Sequence, residues 1–428
     1  MNNRLNRVSW LRIEQRWKKE VWYVPILALA MGLMMLRPLL MARLFNAPEF
    51  GTYIAGLLVS SSFCVLGCLG LQPKLQRSMP MGFVARKELA SQILVFQAIL
   101  VALLLALLGC LIGVADFSIA GLSPGNFAVS VVHGLSQQIF LLSTVESRSR
   151  GETLRFSWQN MGRAVSIVVI AGLVAWHMRS PGATLLTEAV VSLVIASLIL
   201  AKSSTCHSIQ FRALFLLALR RLAAIRWYEP LSLMLVMLVG FGLANADRWV
   251  AVTVLPPVQF AWYGFAWILL TAAQSIQTIT NSSVYPALAK RFALGGRRAS
   301  FSLASKASLV FLMLSGICAF PSYFLLEEII VNWFADYRSS LEILPIFLVV
   351  ASIRLSDFWS SHLLVSGKER LLLAVNCFSG VFVFILFSLL GYFQSPDKSG
   401  ITELAHLALA LTVVNYTLVL IFSLKLRR

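Results

Sequence analysis

Residues 89–114 read LASQILVFQAILVALLLALLGCLIGV, twenty-six positions without one charge. About 20 apolar residues carry a helix across the hydrocarbon of a bilayer, so this run predicts a membrane span. Arg86 and Lys87 stand just before it, as polar anchors do at a membrane surface. Working outward, similar runs recur near 22–44, 50–71, 126–145, 158–177 and 183–201. Six more follow near 229–255, 258–287, 303–326, 341–365, 371–392 and 403–424. The expected fold is all-α and integral to the membrane, with twelve spans.

Composition points the same way. Of 428 residues, 58% are hydrophobic and only 13% charged, against about 25% charged in soluble domains. Too few polar side chains exist to cover such a chain in water, which excludes secreted, cytosolic and disordered classes. The net charge is +18, but the basic residues fall in short clusters between apolar runs rather than in one patch. That disfavours a nucleic-acid partner. Cys64, Cys68, Cys110, Cys206, Cys318 and Cys377 lie in or beside apolar runs without Cys-x-x-Cys or Cys/His spacing, so no metal site is expected.

The loops fix a count and an orientation. Residues 1–20 carry Arg4, Arg7, Arg12, Arg16, Lys18 and Lys19 and lack a small-residue cleavage site, so they read as a retained cytoplasmic amphipathic segment. With that end inside and twelve crossings, cytoplasmic segments collect 29 basic residues, Arg163 among them. The outer loops keep only Arg43, Arg179, Arg338 and Lys398. A wrong span count would scramble this split from the error onward, so both termini are placed in the cytoplasm. The organisation expected is a segment 1–20, a first lobe 21–201, a basic linker 202–228 and a second lobe 229–428.

The two halves echo each other. Arg37 is followed by Pro48-Glu-Phe-Gly-Thr-Tyr53, and Arg248 by Val258-Gln-Phe-Ala-Trp-Tyr263, with Arg-to-Tyr separations of 16 and 15 residues. A repeat at the start of each half fits a pseudo-two-fold transporter with its site between the lobes. The stretch Arg43-Leu-Phe-Asn-Ala-Pro-Glu-Phe-Gly-Thr-Tyr53 resembles the joint between the first two spans of Wzx-type polysaccharide flippases. These belong to the multidrug/oligosaccharidyl-lipid/polysaccharide exporter superfamily. Asn245-Ala-Asp-Arg248, Phe260-Ala-Trp-Tyr263 and Tyr285-Pro286 are similar to that family's seventh and eighth spans. The sequence departs from the pattern at Asn46, where the family usually has Gly, and at Pro256-Pro257, where Leu-Gly is commoner. The resemblance implies two six-helix lobes around a central cavity and alternating access. Its implied cargo is a lipid-linked oligosaccharide carried outward across the bacterial inner membrane for O-antigen, capsule or exopolysaccharide synthesis. Implied partners are membrane lipids and the polymerase and chain-length regulator of the same pathway, with H+ or Na+ coupling and no other cofactor.

Three basic residues, Arg37, Arg248 and Arg354, fall within spans, as do the acids Asp247 and Asp357. An arginine at the bilayer centre costs about 2.5–3.5 kcal/mol on insertion scales, so each calls for water, a partner or an anion. Guanidinium forks suit a lipid diphosphate and stay charged where a lysine could lose its proton. The three arginines are therefore expected to line an anion cavity. Against this, Arg354 and Asp357 have the i,i+3 spacing of a structural ion pair. Asp247 and Arg248 point about 100° apart on a helix and pair less naturally. Asp247 is a candidate coupling group or a partner for arginine. Span eight carries Trp267, Gln274, Gln277, Asn281 and Tyr285 along one face, and such aromatic and amide groups suit sugar rings. They equally suit amide bonding between helices. His133, Gln137 and His362 read as packing residues.

Two rivals remain. A membrane glycan polymerase or ligase needs a large outer loop for its active site, and the longest here spans only 328–340. No Walker A, HExxH or Asp-rich prenyl-diphosphate motif is present. A drug/cation antiporter of the same superfamily calls for carboxylates in the first six spans. None is expected there, since Glu49 and Glu88 fall at loop joints.

Overall fold

A computed structural model describes residues 22–84, 88–114, 120–202, 211–389 and 400–426. The basic segment 1–20 lies outside the described residues, as do Arg86, Lys87, Lys398 and Cys206. Every described element is helical. In chain order the helices are α1 (Tyr23–Leu44), α2 (Ala47–Leu66), α3 (Leu71–Val84), α4 (Glu88–Val114), α5 (Pro124–Ser149), α6 (Thr153–Met178), α7 (Pro181–Ala201) and the short α8 (Phe211–Arg220). There follow α9 (Tyr228–Val254), α10 (Pro257–Trp333), α11 (Leu344–Leu355), α12 (Trp359–Val365), α13 (Glu369–Leu389) and α14 (Ile401–Leu426).

The 77 residues of α10 would run about 115 Å as one helix, several times the hydrocarbon thickness of a bilayer. Gly296 divides it, with φ 66° and ψ −161°, a region that only glycine visits cheaply. Its two arms are spans eight and nine. Among the described residues, eleven helical stretches are long and apolar enough to cross a membrane, the eighth being Ala287–Trp333. The second arm continues to Trp333 and a 3₁₀ segment, Ala335–Glu342, takes up much of what the sequence reads as an open outer loop.

Local chemistry sets the helix starts. Ser123 and Ser180 accept from the backbone N–H groups of Asn126 and Ala183, each ahead of a proline in the first turn. Asn46 and Glu49 form a reciprocal box at the start of α2: Glu49 N–H donates to Asn46 Oδ1 at 2.9 Å, and Asn46 N–H to Glu49 Oε2 at 3.1 Å. The departure from the family's glycine at position 46 thus supplies a helix cap.

The chain divides into two compact units. One holds the described residues of Met1–Met41 and Val59–Met234, the other Ala42–Leu58 and Leu235–Arg428. The first unit has buried apolar clusters at Ala30, Met161 and Ala164, and at Ile93, Phe96, Leu100, Leu214 and Ala218. The second has one around Phe301, Phe358, Trp359, Leu363 and Val375. Within the second unit the joint that starts α2 packs on the joint that starts α10: a Cβ on Gly51 would stand 2.5 Å from the Pro257 carbonyl oxygen. Tyr337 lies beside them, stacked on Phe265 at 4.7 Å and edge-on to Phe50 at 5.3 Å. Burial, with Asp336 and Glu49 nearby, raises its phenol above the usual range.

Candidate functional site

In the first unit, spans one, two, four, five and six meet in a buried polar cluster. Arg37 on α1 donates from Nη1 to Glu188 Oε2 on α7 at 2.6 Å, and Glu188 is fully buried. His133 Nε2 on α5 approaches the same oxygen at 3.0 Å, while its Nδ1 lies 2.7 Å from Ser60 Oγ on α2. Gln137 Nε2 stands 3.3 Å from His133 Nε2. Arg163 on α6 donates from Nε to Ser192 Oγ at 3.1 Å and lies over the Phe140 ring at 4.5 Å. Its Nη2 is buried without a hydrogen bond. Arg37 and His133 thus share one carboxylate in a place where unpaired charge is costly.

Three expectations are corrected here. Arg163 is not a cytoplasmic loop residue: α6 starts at Thr153, so Arg163 lies well inside the helix and only 8% exposed. The first six spans do hold an acid, Glu188, in the middle of α7. The rule applied to the arginines, that a lone charge in an apolar run needs a reason, would have found it. His133 is more than packing, since it bridges Ser60 and Glu188.

In the second unit, Asp247 and Arg248 on α9 do not pair with each other. Tyr263 Oη on α10 donates to Asp247 Oδ2 at 2.5 Å. Arg248 donates from Nη1 to Asn245 Oδ1 at 2.8 Å and stacks over the Trp267 ring at 3.4 Å. Arg354 and Arg248 both act on Asp247 electrostatically. The Arg354–Asp357 ion pair expected from i,i+3 spacing does not form, because span ten breaks between α11 and α12 and loses that spacing. Arg354 sits in the last turn of α11 and donates instead to Thr412 Oγ1 at 3.2 Å and to the Ala244 carbonyl at 3.3 Å. Asp357 lies in the break and accepts from Ser360 N–H at 3.2 Å and Ser360 O–H at 2.6 Å, holding the start of α12.

Beside this break the second unit has an open cavity of about 440 Å³. Its polar lining includes Arg354, Asp357, Gln277, Asn376, Thr412 and Asn415, drawn from spans eight, ten, eleven and twelve, and Asn376 Oδ1 is buried without a partner. Of the span-eight face, Gln277 lines this cavity and donates to the Asp357 carbonyl at 3.4 Å. Asn281 accepts from Ser361 O–H at 3.0 Å, Trp267 lies under Arg248, and Tyr285 is 39% exposed. The side chain of Gln274 lies outside the described residues. Asn376, Thr412 and Asn415 escaped the sequence reading because single amides and hydroxyls are common in spans, and only the fold gathers them.

The fold has solved counterparts. The VcmN MATE transporter of Vibrio cholerae is 14% identical, with TM-score 0.62 and 95% of this chain covering 94% of that one. A MOP superfamily transporter from Pyrococcus furiosus, described as having a binding pocket of reverse polarity, is 10% identical with TM-score 0.60, covering 94% and 93%. The lipid II flippase MurJ, in an inward closed conformation, is 11% identical with TM-score 0.59, covering 95% and 87%. At such identities the likeness establishes the fold, that of the MATE and MurJ transporters. No protein-family model matches the chain, and no curated protein does.

Proposed function

We propose that the protein is a transporter of the bacterial inner membrane, both termini cytoplasmic, that flips a polyprenyl-diphosphate-linked oligosaccharide to the outer leaflet by alternating access. The observation that carries this reading is the balance of charge inside the spans. Apart from Glu146 and Arg150, which pair with each other at the end of α5, four arginines, Arg37, Arg163, Arg248 and Arg354, stand against three carboxylates, each already engaged: Glu188 by Arg37 and His133, Asp247 by Tyr263, Asp357 by Ser360. An anionic cargo completes such a balance and a cationic one worsens it, which places the drug/cation antiporter second. The amides and hydroxyls beside Arg354 supply the hydrogen bonding that glycan hydroxyls require. Energetics agree. A diphosphate with two negative charges leaves an inside-negative cell with about 2.3 kcal/mol per charge per 100 mV in its favour.

The test is reconstitution in proteoliposomes with a fluorescent polyprenyl-diphosphate glycan, scored against efflux of a cationic dye. Glycan translocation that rises with an inside-negative potential and is lost in Arg354→Gln but retained in part by Arg354→Lys is the expected result. Dye efflux without glycan translocation assigns the antiporter reading instead.

A further inference from the structure

A second cavity lies in the first unit. It holds about 360 Å³ and is lined by Lys74 on α3, by Ala90, Ile93, Leu94 and Gln97 on α4, and by the segment Arg221–Arg226 that follows α8. Both contributing loops belong to the basic, cytoplasmic side of the charge split. Three cationic side chains, Lys74, Arg221 and Arg226, line it. Among the described residues, Glu229 is the acid paired with Lys74, at 3.2 Å and half exposed.

The surroundings hold this arrangement in place. Gln97 donates from Nε2 to the Arg221 carbonyl at 2.8 Å, fixing the segment against α4. Gly70, with φ 78°, lets the turn before α3 close on the Pro230 carbonyl. The short α8 buries Leu214 and Ala218 against Ile93, Phe96 and Leu100 of α4. Its other side leaves Leu216 and Leu219 exposed between Arg212 and Arg220. A short helix with exposed leucines flanked by arginines is built to lie at a membrane surface, apolar side among acyl chains and cations among headgroups. The cavity it borders combines the same two chemistries: an apolar wall from Ile93 and Leu94 and a cationic rim.

We propose that this cavity is a binding site for an anionic glycerophospholipid of the cytoplasmic leaflet, its phosphate held by Lys74, Arg221 and Arg226 and its acyl region laid along α4 and α8. The site does not depend on the cargo's identity. Basic pockets between spans at this face favour acidic headgroups, each basic residue adding to the attraction. Glu229 opposes the phosphate, so its removal strengthens binding while loss of either arginine weakens it.

The full-length protein is purified in neutral detergent and titrated with phosphatidylglycerol, phosphatidylcholine or inorganic phosphate, with native mass spectrometry and thermal unfolding as readouts. Wild type is expected to bind and be stabilised by phosphatidylglycerol over phosphatidylcholine. The double variant Arg221→Gln/Arg226→Gln is expected to bind it roughly thirtyfold more weakly, with unchanged unfolding temperature when no acidic lipid is present. Lys290→Gln, an exposed cation of the second unit, is expected to bind like wild type, and Glu229→Gln more tightly. Equal binding by wild type and the double variant overturns the proposal, as does a Glu229→Gln variant that binds more weakly. Stabilisation by inorganic phosphate equal to that by phosphatidylglycerol reassigns the site to a soluble phosphate compound and overturns the lipid.

Discussion

Glu188 is where one atom decides most. Its Oε2 takes Arg37 at 2.6 Å and His133 at 3.0 Å, with Arg163 as a further cation in the cluster. Replacing it by Gln leaves buried guanidiniums without a counter-charge, a change that costs about 3–5 kcal/mol for comparable pairs. Thermal unfolding in detergent is expected to fall sharply for Glu188→Gln and to recover in part for Arg37→Met/Glu188→Gln. A single variant as stable as wild type removes the ion pair from the account. Arg354 and Asp357 make the opposite prediction. Because each has its own partners, a double-mutant cycle on Arg354→Ala and Asp357→Ala is expected to give a coupling within about 0.5 kcal/mol of zero. A coupling well above that restores the ion pair that the spacing implies.

Among the elements, α10 depends on one glycine. A Cβ at Gly296 meets nothing within 4 Å, so substitution acts through the backbone alone. With φ at 66°, Gly296→Ala is expected to cost about 1–3 kcal/mol and to lower unfolding temperature. Gly162, inside α6 and equally open, has no such conformation. Gly162→Ala is expected to be neutral or stabilising by up to about 1 kcal/mol. Equal effects at the two sites argue against the fold-back at Gly296. Span ten is the other element that its sequence misrepresents. Residues 341–365 read as one continuous apolar run, yet the helix breaks over Ser356–Phe358 and sets Asp357 at the start of α12. Discontinuous spans gather polar groups at membrane depth, and here the break adjoins the cavity of the second unit.

At the scale of the whole molecule, orientation is open to direct measurement. In a background with the native cysteines replaced by serine, a cysteine at Lys290 is expected to react with a membrane-impermeant maleimide only after the cells are opened. A cysteine at Arg338 is expected to react in intact cells. Both side chains are exposed. Reversal of this pattern inverts the orientation, and reaction of both in intact cells refutes the span count between them. The same inside-negative geometry is what makes outward movement of a diphosphate favourable, so topology and energetics stand or fall together.

The sequence by itself determined the class: all-helical, integral to a membrane, with twelve spans. Apolar length and loop charge are additive properties of local segments, so they survive without any knowledge of packing. It also located the joints, since Asn46 with Glu49 and Pro256 with Pro257 act on their own neighbours along the chain. What a buried charge does was decided only by the tertiary structure. Arg37 and Glu188 are 151 residues apart, and no spacing rule links them. Arg354 turned from Asp357 to Thr412, 58 residues on, because a helix break removed the local partner. In a medium without water each buried polar group must find a partner wherever the fold brings one, and that choice is non-local.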